Sequence, residues 1–268
     1  MRFAFGKNWR SFLSVLDGDR INEARRAICD SLDRGDLRGW RVLDIGSGSG
    51  LSSLAMHQLG AEVASFDYDP DSVACTEELR RLYSAGDKHW IVAQGSVLDV
   101  AFMQSLGKFN LVYSWGVLHH TGAMWQALDL AQQCVAPGGT LLIALYNDQG
   151  WRSRVWHTVK RLYCSSTLGR WLVVATFYPL FAMYALWQDL RHFHMPGTHA
   201  RNYVRKRGMS LFHDWRDWLG GYPFEVAKPE EVVRKLATHR FELQSKTLTQ
   251  GLGCNEFVFT KSAPSHGK

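Results

Sequence analysis

Three clusters of residues in this 268-residue chain could do chemistry. The first is Val42-Leu43-Asp44-Ile45-Gly46-Ser47-Gly48-Ser49-Gly50, an apolar run that ends in an acid and a glycine-rich turn. Glycine opens backbone angles closed to other residues and lets a chain approach a ligand with no side chain between them. A helix starting near Gly50 would aim N–H groups at that ligand, and Asp44 could accept hydrogen bonds from an amine. The second cluster is Ser65-Phe66-Asp67-Tyr68-Asp69-Pro70. A carboxylate at position 67 can accept both hydroxyls of a ribose. The other role open to Asp67, capping a helix, suits Asp69 better because Asp69 immediately precedes Pro70. The third is His119-His120, where an imidazole that titrates near neutrality could take a proton from a hydroxyl, or could only pack and fix a loop.

The elements that must position these clusters follow from periodicity. Strands are expected at Arg41–Ile45, Glu62–Phe66, Trp90–Ala93, Asn110–Trp115 and Thr140–Tyr146. The first, fourth and fifth are rich in Val, Leu and Ile, as parallel strands buried on both faces should be. Helices are expected at Leu51–Leu59, Pro70–Ala85, Ala101–Leu106 and Gly122–Val135, with Pro137-Gly138-Gly139 turning into the fifth strand. Strand–helix alternation of this kind implies a doubly wound α/β fold with a mostly parallel sheet. Further on, Pro229–His239 reads as a helix, and Phe241–Thr249 and Asn255–Lys261 as an antiparallel pair that brings the sheet to seven strands. The organisation expected is an N-terminal helical segment over 1–39, a core over 40–146 and 228–262, an inserted helical cap over 147–227 after strand five, and a frayed tail over 263–268.

The cap segment holds eleven Lys and Arg against five Asp and Glu, a surplus equal to the formal charge of +6 on the whole chain. Any attraction to an acidic partner therefore comes from this segment, unless it is simply a solvated basic face. Within it, Trp171–Trp187 is almost wholly apolar but contains Pro179, which suggests a buried or interfacial helix pair. Peripheral membrane contact through 171–187 is the competing reading, since the run is short for a comfortable span. His192, His194 and His199 are spaced loosely like ligands, but no acid or cysteine pattern accompanies them, so no metal is expected. The five cysteines form no Cys-x-x-Cys pair, and the first residues lack a secretory signal, so a reducing cytoplasm is expected.

Taken in order, these motifs resemble the class I S-adenosylmethionine (SAM)-dependent methyltransferase family, over about residues 40–146 and again over 228–261. The resemblance implies that Asp44, Gly46, Ser47, Gly48 and Gly50 cradle the methionine part of SAM. It implies that Asp67 holds the ribose, with Tyr68 beside the adenine. The loop after the third strand, Gly95-Ser96-Val97-Leu98-Asp99, would edge the adenine through Ser96, Val97 and Leu98. Family members often have an acid directly after that glycine, and this chain has Ser96 instead. The motif Tyr113-Ser114-Trp115-Gly116-Val117-Leu118-His119-His120 is very like that of small-molecule and ubiquinone/menaquinone-type members, which adds Ser114 and Trp115 to the cofactor side. Lys7 and Trp9, in a segment that family members often fold over bound SAM, would close the pocket; packing of Phe5 and Trp9 against the first helix is the alternative.

The expected activity is therefore methyl transfer to a small-molecule acceptor, at oxygen, with His119 preferred over His120 as the base. Carbon or sulfur acceptors, a lipid-linked substrate and a non-catalytic SAM-binding module stay open. A nicotinamide-dependent oxidoreductase would need the glycine spacing Gly-x-Gly-x-x-Gly and a Tyr-x-x-x-Lys pair, and the chain has neither in place. Nucleic acid is disfavoured as acceptor, because neither an Asn/Asp-Pro-Pro-Tyr/Phe motif nor a Pro-Cys motif is present. Oligomeric state is not legible.

Overall fold

A computed structural model of the protein describes residues 16–192, 195, 197–198 and 211–263. Helix α1 (Gly18–Leu32) opens on Asp17, whose side chain accepts from the Arg20 N–H, and ends on Asp33 in the left-handed region. Then follow β1 (Arg41–Ile45), α2 (Leu51–Gln58), β2 (Glu62–Asp67), α3 (Pro70–Tyr83), β3 (Trp90–Gln94), α4 (Val100–Leu106), β4 (Phe109–Trp115), α5 (Met124–Gln133) and β5 (Val135–Tyr146). Asp69 caps α3 through the Asp71 N–H, with Pro70 in the first turn, as the sequence suggested. Each expected strand of this half is found within a residue or so of its predicted bounds, except β5. There the Pro137-Gly138-Gly139 turn lies inside the strand as a bulge, and pairing with β4 jumps from Phe109–Val135 to Leu111–Thr140. Gly139 sits so close to the Ala136 and Asn110 carbonyls that a Cβ would stand 2.9 and 3.0 Å from them.

The seven strands lie in the order β3-β2-β1-β4-β5-β7-β6, with β6 (Phe241–Thr247) and β7 (Cys254–Lys261) closing one edge. The first five run parallel, and β7 is antiparallel to both β5 and β6. Alternation along each strand divides the core in two. Leu43, Ile45, Val112, Ile143, Phe257 and Phe259 face one side with α5 and α9 (Pro229–Ala237). Val42, Val63, Leu111 and Leu142 face the other, under α1, α2 and α3. Helices on both faces of a mostly parallel sheet make this a doubly wound α/β fold with an antiparallel edge.

Between β5 and α9 stand α6 (Trp151–Ser165), α7 (Thr167–Arg191) and α8 (Leu211–Gly220). The expected helix pair across Trp171–Trp187 is a single 25-residue helix, α7, running straight through Pro179. Proline there removes one backbone donor. The other face of the helix holds it in place: Phe177 and Phe181 pack against Trp156, Trp215 and Trp218 at ring separations of 5.3, 5.4 and 6.2 Å. Lys160 is buried among them and donates to the Trp218 carbonyl, with the Phe224 ring 5.1 Å from its ammonium. The chain returns to the sheet where the Ala227 N–H donates to the Tyr146 carbonyl and Ala227 bridges Asn147.

Asn255, near the start of β7, belongs to this frame. It is 1% exposed, donates to Asn147 Oδ1 at 3.0 Å and accepts from the Thr249 N–H at 2.9 Å, joining β7 to the end of β5. Replacing Asn255 by alanine leaves both partners unsatisfied. A loss of about 1–3 kcal/mol is expected from urea denaturation midpoints.

Candidate active site

The carboxyl ends of β1, β2 and β4 gather the predicted clusters at the point where the strand order reverses, the crevice in which open α/β sheets bind ligands. The glycine turn after β1 is held from three sides. The N–H groups of Gly46 and Ser47 donate to the Phe66 carbonyl of β2 at 2.8 and 3.1 Å. The Gly48 N–H donates to Asp67 Oδ2 at 3.0 Å, and the Ser47 and Thr76 hydroxyls meet at 2.8 Å. These amides fix the turn rather than pointing free at a ligand. Gly46, Gly48 and Gly50 all take φ between 57° and 83°. A Cβ on Gly46 would lie 2.4 Å from Val117, and one on Gly50 would lie 2.8 Å from the Thr76 backbone. The turn therefore tolerates only glycine at both places.

Beneath the turn runs a directed chain of hydrogen bonds. The Trp90 indole N–H donates to the Ser65 hydroxyl at 2.9 Å, Ser65 meets Ser53 at 2.7 Å, and Ser53 donates to Asp44 Oδ2. Because the proton of Ser53 goes to Asp44, Ser65 is the donor to Ser53. Asp44 is 2% exposed, and burial pushes its carboxyl up to about 7, with the negative Asp67 adding to the shift and Ser53 opposing it. No cation pairs with it among the described residues. Asp67 is partly buried at the end of β2, where its other oxygen accepts the Asp69 N–H at 2.9 Å. Tyr68 follows it, 56% exposed.

The loop after β3 comes alongside, tied by the Gly95 N–H to the Asp67 carbonyl at 3.0 Å. The Ser96 hydroxyl accepts the Leu98 N–H at 3.2 Å, Leu98 packs against the core, and the Val97 side chain is buried in it. At the end of β4, Ser114 is fully buried and donates to the Ile45 carbonyl at 3.2 Å, whereas Trp115 is half exposed. Lys7 and Trp9 lie outside the described residues.

The two histidines form one short 3-10 turn, Leu118–His120, and differ in environment. His119 has no exposed surface, its ring lies 3.9 Å from that of Tyr146, and its Nδ1 accepts the Tyr146 N–H at 3.2 Å. Burial, with smaller effects from His120 and Lys160, holds its pKa well below the usual histidine range. Accepting at Nδ1 puts the proton of the neutral ring on Nε2, which is buried and unpartnered. His120 is 9% exposed, and its Nδ1 lies 2.7 Å from the Pro223 carbonyl. A carbonyl only accepts, so Nδ1 of His120 carries a proton. His120 is the more accessible of the two rings.

A methyltransferase-domain family profile matches residues 19–217, most of the chain. The chain belongs to the methyltransferase-domain family. Over 111 residues it is 36% identical to the ubiquinone biosynthesis O-methyltransferase of Xanthomonas campestris pv. campestris (strain B100), a match covering 41% of this chain and 45% of that one. Over 120 residues it is 31% identical to the ribosomal protein L11 methyltransferase of Methylococcus capsulatus (strain Bath), covering 44% and 38%. The chain thus aligns with less than half the length of these curated relatives. In fold it is similar to magnesium protoporphyrin IX methyltransferase from Synechocystis PCC 6803 with bound SAH, at a TM-score of 0.55 and 15% identity over 96% of this chain and 94% of that one.

Sequence reasoning missed several residues that shape the site. Ser53, Ser65 and Trp90 carry no motif, and their roles arise only when α2, β2 and β3 are stacked. Glu225 comes from the segment after the cap, where it accepts the Met124 N–H at 3.0 Å and so caps α5, while its own N–H donates to the His119 carbonyl at 3.0 Å. Burial raises the Glu225 carboxyl above its ordinary range despite that hydrogen bond.

Two outcomes are expected. Gly46→Ala combines a positive φ with a clash against Val117, and a loss of about 1–3 kcal/mol should appear in thermal melts. The folded pKa of Asp44 lies above its unfolded value of 3.8, so its contribution to stability is greatest below about pH 4 and is lost as pH rises toward 7. Asp44→Asn lacks that loss. Melting temperatures measured from pH 4 to 8 should therefore fall less for the variant than for the native protein.

Proposed function

We propose that this chain binds SAM in the crevice at the ends of β1, β2 and β4 and methylates a small-molecule acceptor at a hydroxyl oxygen, with His120 as general base. The observation that carries the reading is the Asp44 carboxyl, buried at the end of β1 with a raised pKa and no cationic partner among the described residues. A site of this kind stabilises a bound ammonium, such as that of a methionine moiety, more than water does.

When bound, SAM supplies a methyl carbon attached to a positively charged sulfur. Around it, Asp44 holds the ammonium and the turn Gly46-Ser47-Gly48 leaves room for the methionine chain. The Asp67 carboxylate takes the ribose hydroxyls, and Tyr68 flanks the adenine. Ser96, Val97 and Leu98 edge the adenine through backbone groups, and Trp115 lines the crevice from β4, where the buried Ser114 ties that strand to the end of β1. His120, oriented by the Pro223 carbonyl, takes the acceptor's proton at Nε2. His119 is a positioning residue: buried and neutral, it ties the end of β5 to the turn that carries His120. The relative named as an O-methyltransferase of ubiquinone biosynthesis supports oxygen as the acceptor atom and a small molecule as its bearer.

Incubation with radiolabelled SAM and fractionated cell extract should place label in a small-molecule fraction. No incorporation alongside intact SAM binding would sink the catalytic reading. With an acceptor in hand, His120→Ala should lower kcat by about 10²-fold or more and leave SAM affinity unchanged. His119→Ala should act chiefly through lower thermal stability, and the opposite pattern would exchange the two roles. Asp67→Ala should weaken SAM binding by about 1–3 kcal/mol in calorimetry. SAM affinity should also fall as pH drops below about 7 and Asp44 becomes protonated, and Asp44→Asn should abolish that dependence.

A further inference from the structure

We propose that the outward face of the α6–α7 hairpin docks on an anionic lipid bilayer, with α7 lying in the plane of the interface. Helix α7 is apolar on all sides. Its inner face, with Phe177, Tyr178 and Phe181, is covered by α6 and α8. Its outer face carries Leu168, Leu172, Pro179, Met183, Leu186 and Leu190, spaced three or four residues apart (or their sum) so that they share one stripe along the helix. Leu172, Met183 and Leu190 are 54%, 59% and 61% exposed, and only 6% of the most apolar 18-residue window of α7 is buried. An exposed apolar stripe of about 35 Å, at 1.5 Å per residue, is far more than scattered surface leucines and marks an interaction surface.

Charge and aromatic placement specify what covers it. Trp171 and Trp187 flank the stripe near its two ends, 66% and 49% exposed. Amphipathic indoles prefer the boundary between lipid headgroups and acyl chains. On α6, Trp151, Val155 and Leu162 are exposed alongside, bordered by the exposed Arg154 and Arg161. Among the described residues, neither arginine pairs with a carboxylate. An apolar strip edged by unpaired arginines and tryptophans matches the chemistry of an interfacial helix on acidic lipid.

By length and composition α7 could cross a bilayer. Its partner argues against that arrangement. Trp156, ten residues before the connecting Ser166, meets Phe177, eleven residues after it, so α6 runs antiparallel beside α7. A spanning α7 would draw Arg154, Arg161 and the buried Lys160 of α6 into hydrocarbon, which is costly. Lying flat, the hairpin keeps Arg154 and Arg161 at headgroup level and Lys160 inside the protein.

The test is co-sedimentation of the full chain with sucrose-loaded vesicles of phosphatidylcholine containing phosphatidylglycerol, against phosphatidylcholine alone. The native protein should pellet with the anionic vesicles and bind the neutral ones about tenfold more weakly or less. The double variant L172E/L186E, altered only at exposed positions, should stay in the supernatant while its melting temperature and SAM affinity match the native protein. R154E/R161E should lose about tenfold in affinity for the anionic vesicles. The proposal is overturned if the native protein stays in the supernatant at low and at physiological salt, or if L172E/L186E pellets as the native protein does. It is equally overturned if sedimentation velocity finds a dimer that L172E/L186E dissolves, with no vesicle binding. The readout needs no turnover, so its failure and that of the methyl-transfer reading are separable.

Discussion

At the end of β1 the Gly46 backbone lies directly against the Val117 side chain, which leaves no space for a side chain at residue 46. Gly46 faces Val117 with no room even for a methyl group, and this contact sets the geometry of the crevice. Strands β1 and β4 are neighbours, but the connections leaving them diverge to different parts of the sheet. The glycine turn and the His119-His120 turn therefore open side by side at the switch point. The close approach brings the glycine turn and the His119-His120 turn, some seventy residues apart in sequence, side by side.

Below that contact the site rests on polar groups buried by the packing of α2, β2 and β3. Each is satisfied by a neighbour in a single direction, from the Trp90 indole through Ser65 and Ser53 to Asp44. A chain of this kind orients the Asp44 carboxyl without neutralising it, since hydroxyl donors supply hydrogen bonds but no charge. The protein thus keeps a carboxyl in low dielectric, with its pKa raised to about 7 by burial. Asp67 is organised differently: its oxygens accept backbone N–H groups from Gly48 and Asp69, which hold the turn and the start of α3 in register.

The cap also reaches the histidine turn. Its return segment delivers Pro223 to His120 and Glu225 to both His119 and α5, so a region distant in sequence sets the tautomer of one histidine and the position of the other. The same insertion turns a dense aromatic face inward and an apolar one outward. A helix apolar on every side needs cover on every side, and the described residues supply only half of it.

The sequence by itself determined the α/β alternation, the two acids at strand ends, the glycine turn and the helix cap at Asp69. Each of these is a local signal: strand period, turn chemistry or the missing N–H of proline. It also carried the antiparallel strand pair at the sheet edge, because two short β-rich runs joined by Gly251-Leu252-Gly253 have few other ways to pair. Tertiary structure alone decided what depends on partners far along the chain. The continuity of α7 through Pro179 follows from packing on Trp156, Trp215 and Trp218, which overrides the local helix-breaking tendency. The different hydrogen-bond roles of the His119 and His120 rings follow from which backbone group each meets, Tyr146 N or Pro223 O. The bulge within β5 and the clamp by Asn255 likewise rest on registers fixed only when strands are laid together. Spacing along a chain specifies which side chains share a face; what meets that face is set by the packing of the rest.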